Sequence, residues 1–356
     1  MIHNRFVLSS RPTHPTGVSE PPATTAHRPR ISLVAPCYNE EAVLPELYQR
    51  CTRTLTEATG GDYELILVND GSTDATWTII SKLAEGDPHL VGIDLSRNFG
   101  HQRALTAGLS MARGEAIFVI DADLQDPPEL LGEMLRLLDA GADVVYGQRL
   151  SREAESRFKR WSAAAFYRLL TRLSEVDIPP DTGDFRLMRR SVVEALLSMP
   201  EYHRFVRGMV AWLGFKQLPL RYHREKRFAG VTKYPLRRML RLATDAITSF
   251  SIAPLRVSAY FGFLFSGFAL LSLLYILGSW LFFNAVPGWT SLMALTAIIG
   301  GVQLIAVGVM GEYLGRIYLE VKHRPNFIIR EITSVHPCPP TLSLGGEDRA
   351  APLPSD

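Results

Sequence analysis

From Val257 to Gly311 the sequence holds no Asp, Glu, Lys, Arg or His. A water-soluble fold does not leave a stretch of 55 residues uncharged, because its helices keep a polar stripe and its loops face water. That absence argues against a wholly soluble chain and divides the sequence into a water-facing part and an apolar part. Cysteine is scarce too. Cys37, Cys51 and Cys338 are too few and too scattered for a disulfide framework, and no C-x-x-C pair offers a zinc site. They read as free thiols in a reducing compartment. No charge of one sign dominates: 38 Lys and Arg stand against 36 Asp and Glu, so nothing points to a nucleic-acid partner. Residues 1–30 lack the apolar core of a signal peptide and are rich in Pro, Thr, His and Arg. They read as a disordered tail, as does most of 321–356.

Between the tails the pattern changes to short apolar runs alternating with amphipathic segments. Ile31–Ala35, Tyr63–Val68, Leu90–Leu95, Ala116–Ile120 and Asp143–Tyr146 are predicted strands. Helices are predicted from Glu41 to about Ala58, from about Asp74, from Gln102 to Ala112, and from Pro128, a residue tolerated at the first helical position. Val- and Ile-rich strands alternating with helices imply a parallel sheet covered on both faces. That is a doubly wound α/β domain, placed at 31–234, with its ligand expected beyond the C-terminal strand ends.

The polar residues concentrate at those ends. The first strand runs into Pro36-Cys-Tyr-Asn-Glu40, the second into Asn69-Asp-Gly-Ser-Thr-Asp74, the fourth into Asp121-Ala-Asp-Leu-Gln-Asp-Pro-Pro128. Three such clusters at three strand ends form one site. Asp121 and Asp123 make a D-x-D pair, and alternate residues of an extended backbone point the same way. Two carboxylates so placed suit Mg²⁺ or Mn²⁺, which complete their shells with substrate phosphate. Asp70 stands where a nucleobase can donate hydrogen bonds, whereas Asp74 reads as a helix cap.

Two membrane spans are expected after this domain, about 257–283 and 292–311, each near the ~20 residues a bilayer requires. Gly300, Gly301 and Gly308 are positions where helices can approach closely. Basic residues flank the pair: Arg237, Arg238, Arg241 and Arg256 before it, Arg316, Lys322, His323 and Arg324 after it. The positive-inside rule makes both flanks cytoplasmic, so the spans form a hairpin in an inner, cytoplasmic membrane with both termini inside. Residues 235–253 read as an amphipathic helix lying on the lipid interface.

Val34-Ala-Pro-Cys-Tyr-Asn-Glu40, Val68-Asn-Asp-Gly-Ser-Thr-Asp74 and Asp121-Ala-Asp-Leu-Gln-Asp-Pro-Pro-Glu129 resemble the motifs of glycosyltransferase family 2. Arg97-Asn-Phe-Gly-His-Gln102, Asp181-Thr-Gly-Asp-Phe-Arg-Leu187 and Arg227-Phe-Ala-Gly-Val-Thr-Lys-Tyr234 narrow the resemblance to its polyprenyl-phosphate glycosyltransferases. Bactoprenol glucosyltransferases come first and dolichol-phosphate mannosyltransferases second. The resemblance covers about Ile31 to Asn326. It implies a GT-A-type, doubly wound mixed sheet, followed by the interfacial helix and the transmembrane hairpin. It implies that Pro36, Tyr38, Glu40 and Asp70 contact the nucleotide-sugar, and that Asp121 and Asp123 hold Mg²⁺ or Mn²⁺ and the diphosphate with Gln125 beside them. Arg149 and Arg227, and less closely Lys233 and Arg160, match positions that engage the acceptor phosphate. Asp184 matches the acceptor-side carboxylate, as a base or as a residue that orients arginines such as Arg186.

The expected reaction is inverting transfer of glucose from UDP-glucose to undecaprenyl phosphate at the cytoplasmic membrane face. A mannose transferase using GDP-mannose and a non-catalytic membrane scaffold that binds nucleotide-sugar are the alternatives. The partners expected are the nucleotide-sugar, the polyprenyl phosphate and the bilayer; the resemblance and the glycine-rich spans favour a homo-oligomer. Arg157-Phe-Lys-Arg-Trp161 mimics the R-x-x-R-W of processive polysaccharide synthases but precedes Asp184 instead of following it, which argues against a processive enzyme.

Overall fold

The computed structural model describes residues 27–150, 182–223, 253–282 and 288–335. Eight strands form one sheet in the order β7-β5-β6-β4-β1-β2-β3-β8. They are β1 (Ile31–Cys37), β2 (Tyr63–Asn69), β3 (Leu90–Leu95), β4 (Ala116–Val119), β5 (Val144–Arg149), β6 (Thr182–Arg189), β7 (Gln217–Tyr222) and β8 (Ile329–Thr333). The helices are α1 (Leu44–Thr59), α2 (Thr76–Gly86), α3 (His101–Met111), α4 (Leu131–Asp139), α5 (Arg190–Ser198), α6 (Val206–Trp212), α7 (Ala253–Phe282) and α8 (Trp289–Val321).

The predicted strands are present, and β4, β1, β2 and β3 pair in parallel. The sheet as a whole is mixed: β6 inserts antiparallel between β4 and β5, and β8 pairs antiparallel with β3. A purely parallel reading therefore fails at both flanks. Both faces of the central strands are buried, and the side chains divide by the strand period of two. Leu33, Leu65 and Leu67 pack toward α1 and α4, among Leu44, Leu47, Leu131 and Met134. Val34, Ile66 and Val68 pack toward α3, α5 and α6, among Leu105, Val192 and Met209. Gly108 on α3 allows this second layer to close, since a Cβ there would stand 2.3 Å from the Val34 side chain.

Residues 329–333, placed by the sequence in the C-terminal tail, form a sheet strand. The chain returns after α8 to cover the edge of β3, where open N–H and C=O groups would otherwise face water. Arg330 donates to Asp94 at 3.1 Å and to the Ser96 carbonyl at 2.6 Å.

Helices α7 and α8 occupy the regions expected for the two spans. α8 runs past Gly311, the predicted end, and its first charges pair as Glu312 and Arg316 at 3.1 Å along one helix face. Among the described residues Ile298–Val321 is long and apolar enough to cross a membrane, and none of it is buried in the fold. The expected interfacial helix at 235–253 and the R-x-x-R-W segment lie outside the described residues.

Candidate active site

The loops after β1 and β2 are laced together. Asn39, at φ 55°, accepts the Thr73 N–H at 2.9 Å and donates its own N–H to Ser72 Oγ at 3.0 Å. Glu40 N–H donates to Thr76 Oγ1 at 2.9 Å, and Glu41 accepts the Ala75 N–H at 2.9 Å. This lacing holds Pro36, Tyr38 and Glu40 at one edge of the site, with Pro36 buried and Tyr38 47% exposed. Asp74 accepts the N–H of Thr76, the first residue of α2, at 3.0 Å, from one position before the N-cap, Ala75, so it steadies the turn into the helix without being the N-cap expected.

Asp70 is 2% exposed, and its two oxygens accept the N–H groups of Phe99 and Gly100 at 2.7 and 3.0 Å. Burial raises its pKa, with these two bonds pulling the other way. The carboxylate thus pins the 97–100 loop, and a nucleobase would have to share its oxygens. Gly71 is required beside it: at φ 63°, a Cβ would stand 2.4 Å from the Arg97 carbonyl carbon.

Past β4, Asp121 and Asp123 are partly exposed while Ala122 and Leu124 between and beyond them are buried, so the D-x-D pair shares one side. Asp123 accepts the Gln125 N–H at 3.2 Å. Asp121 Oδ1 is buried and accepts no hydrogen bond from any described residue. Its nearest described cation is His101 Nε2, 3.3 Å away. Two carboxylates on one side of the chain supply the hard oxygen donors that fit a divalent metal.

Register brings the acceptor-side carboxylate to the same place. Val119 of β4 faces Arg186 of β6, and the same antiparallel register continued two residues sets Asp184 opposite Asp121. Asp184 is 2% exposed. Its Oδ2 accepts from Gln102 Nε2 at 2.7 Å and from His101 Nε2 at 3.1 Å; its Oδ1 accepts from Arg207 Nε at 3.0 Å. Burial pushes its pKa up, but the Arg207 charge and then His101 and Arg186 outweigh that and hold it well below the usual carboxylate range. His101 Nε2 also stands 3.3 Å from Asp121 Oδ1, so one imidazole lies between the two carboxylates. Burial works against its protonation, yet the bond to Asp184 and the Asp121 charge raise its pKa to about 9. Oxygens of Asp121 and Asp184 and a nitrogen of His101 all lie within 4.8 Å of one another. Buried Arg186 donates to the Gly183 carbonyl at 3.1 Å, and its Nε meets no described acceptor.

Arg149 ends β5 on the far side of β6. It donates to buried Asp126 at 3.3 Å, and Tyr222 Oη donates to the same carboxylate. Gly183 makes room for this, since a Cβ there would stand 2.9 Å from Arg149 Nη2. Arg160, Arg227 and Lys233 lie outside the described residues. The structure therefore gathers Asp121, Asp123, Asp184 and the Asp70 loop at the C-terminal edge of the parallel strands. It adds His101, Gln102 and Arg207, which sequence reasoning did not place in the site, and gives Asp126, quoted there only as part of the Asp121–Pro128 cluster, a partner in Arg149. The only signal for the first two was the Arg97–Gln102 motif.

Residues 32–197 match the model of the family described as Glycosyl transferase family 2. The chain is 48% identical over 303 residues to the "Uncharacterized glycosyltransferase YkcC" of Bacillus subtilis (strain 168), covering 85% of this chain and 94% of that one. It is 42% identical over 309 residues to the "Prophage bactoprenol glucosyl transferase homolog" of Escherichia coli (strain K12), covering 85% and 99%. To the "Bactoprenol glucosyl transferase" of Shigella phage SfV it is 42% identical over 307 residues, covering 85% and 98%.

Proposed function

The chain belongs to glycosyltransferase family 2 and is a glycosyltransferase; on that premise we propose that it moves glucose from UDP-glucose to a polyprenyl phosphate, undecaprenyl phosphate, with inversion at the anomeric carbon. The observation that carries the acceptor is identity of 42% along 98–99% of relatives named for bactoprenol glucosyl transfer. Family membership as an enzyme leaves no place for the scaffold reading.

In this reading an oxygen of the lipid phosphate attacks the anomeric carbon as the glycosidic C–O bond to UDP breaks. The nucleophile needs little deprotonation, because a phosphate monoester has its second pKa near ~6. Asp184 suits this well: held ionised by Arg207 and His101, it is a weak base and a strong organiser of cations. Arg207 and Arg149 supply cations that can draw the acceptor anion in, and the sequence resemblance adds Arg227, Lys233 and Arg160 as acceptor-phosphate residues. Pro36, Tyr38, Glu40 and Gln125 line the nucleotide side, and Asp70 keeps its wall in shape. Mg²⁺ or Mn²⁺ on Asp121 and Asp123, when bound, stabilises the negative charge of the departing diphosphate.

We also place the site at the cytoplasmic face of a membrane that both α7 and α8 cross as a hairpin. Supporting this, α7 and α8 pack against each other, and the chain beyond α8 rejoins the sheet that precedes α7.

The test is transfer by the full chain in membranes supplied with undecaprenyl phosphate and radiolabelled UDP-glucose or GDP-mannose. Label from UDP-glucose should enter the lipid and excess EDTA should stop it. Labelling from GDP-mannose instead would replace the donor; labelling of the lipid from neither donor would overturn the acceptor.

A further inference from the structure

Glu320 stands in the last turn of α8, where the helix dipole disfavours an acidic residue. Its carboxylate has a specific engagement: both oxygens accept the backbone N–H of Tyr202, at 2.9 and 3.1 Å. Tyr202 lies in the short connection that leads into α6. At the other end of that connection Val206, the first residue of α6, donates its N–H to Gln102 Oε1 at 3.0 Å. The Gln102 amide nitrogen in turn donates to Asp184 at 2.7 Å. Between these two ties the Tyr202 ring lies under the Arg103 guanidinium, 4.4 Å from Cζ to centroid. The next residue of α6 is Arg207, whose Nε holds Asp184 at 3.0 Å. The 202–206 connection is thus gripped at one end by the apolar helix and at the other by the catalytic domain, with the acceptor-side ion pair directly behind it.

We propose that Glu320 is a positioning residue for the transfer reaction: it ties the 202–206 connection to the end of α8 and so fixes Arg207 and Asp184 at the depth where a membrane-borne phosphate arrives. The inference rests on the polyprenyl-phosphate reading above. Glu320 touches neither substrate and acts through Tyr202 and α6. A merely structural anchor at this point would lower stability and weaken both substrates alike. A positioning residue affects the lipid substrate and leaves the donor alone.

The experiment uses the full chain in phospholipid nanodiscs containing undecaprenyl phosphate. Glu320→Ala and Glu320→Gln are compared for UDP-glucose affinity, kcat, KM for the lipid and thermal unfolding, each alone and in an Arg207→Ala background. Loss of one charge-assisted bond should lower kcat/KM for the lipid by roughly tenfold or more. UDP-glucose affinity should stay within about twofold of wild type. The Glu320→Gln variant still offers an acceptor oxygen to Tyr202 and should recover most of the loss. With Arg207 already removed, Glu320→Ala should add little, because the two residues act in series. Effects that multiply in the double variant, or a matching fall in donor affinity, would overturn the proposal. A wild-type chain that labels no polyprenyl phosphate overturns the acceptor reading itself. A wild-type chain that does, matched by the Glu320→Ala variant, overturns the role of Glu320 alone.

Discussion

Two carboxylates assigned to the site by the sequence, Asp70 and Asp184, prove to be enclosed by donors. Asp70 holds two backbone N–H groups of the 97–100 loop, so Asp70→Asn turns an amide N–H toward one of them. That variant should lose about 1–3 kcal/mol in chemical denaturation even without nucleotide; unchanged stability with only a raised donor KM would restore a purely nucleobase-facing role. For Asp184 the depressed pKa means that its stabilising charge is complete above the ordinary carboxylate value and fades only as pH falls through the lowered one. It should stay ionised from about pH 5 to 9, given an unperturbed Asp value near 3.9. The kcat–pH profile should therefore carry no limb that Asp184→Asn removes, and the appearance of one would make Asp184 a general base. The D-x-D pair was legible because its chemistry is local, two carboxylates at one strand end. His101 was not: a histidine after a glycine at a helix start looks ordinary, and its partner Asp184 is 83 residues away.

The same contrast between local and distant causes holds for whole elements. β1 to β5 announce themselves by runs of Val, Ile and Leu bounded by turn residues. β7 carries Pro219, which demotes a segment to edge or loop, and it is indeed the edge of the sheet. β8 is five residues long and follows a 33-residue helix, so nothing nearby reveals its pairing with β3. Its contribution reaches the site by a relay. Arg330 holds Asp94, Asp94 accepts from Asn69 at 2.7 Å, and Asn69 accepts the Ser72 N–H at 3.2 Å in the loop laced to Asn39. Arg330→Ala leaves buried Asp94 without its cation. Arg330 is itself largely exposed, so the cost should be modest, about 1–2 kcal/mol in thermal or denaturant unfolding. On the proposed reading the relay ends in the loop on the nucleotide side, so UDP-glucose affinity should fall as well, which calorimetry reads directly. A stability loss with unchanged donor affinity would confine β8 to covering the sheet edge.

At the scale of the molecule, composition gives an expectation of topology with which the connectivity of the fold is compatible. The uncharged run between Arg256 and Glu312, flanked by basic residues, predicts a hairpin whose two ends face the cytoplasm. Connectivity limits what the helices can do. Glu320 at the end of α8 bonds Tyr202, and β8 completes a sheet whose other strands all precede α7. A single crossing between 253 and 321 would tear β8 from β3, so the number of crossings there is even, zero included. Thiol accessibility can decide this, because Cys37 and Cys51 are buried and unreactive toward a bulky reagent while Cys338 lies beyond β8. With Cys338 as the inside reporter, a second cysteine placed between Asn284 and Gly288, ahead of α8, becomes the outside one. In intact cells an impermeant maleimide should label the loop cysteine and spare Cys338, which should react only after permeabilisation. Labelling of Cys338 from outside, with the loop cysteine protected, would invert the orientation and put the site on the wrong side of the membrane for a cytoplasmic nucleotide-sugar. Labelling of both would mean an odd number of crossings, and β8 could then not pair with β3 in the membrane-bound protein.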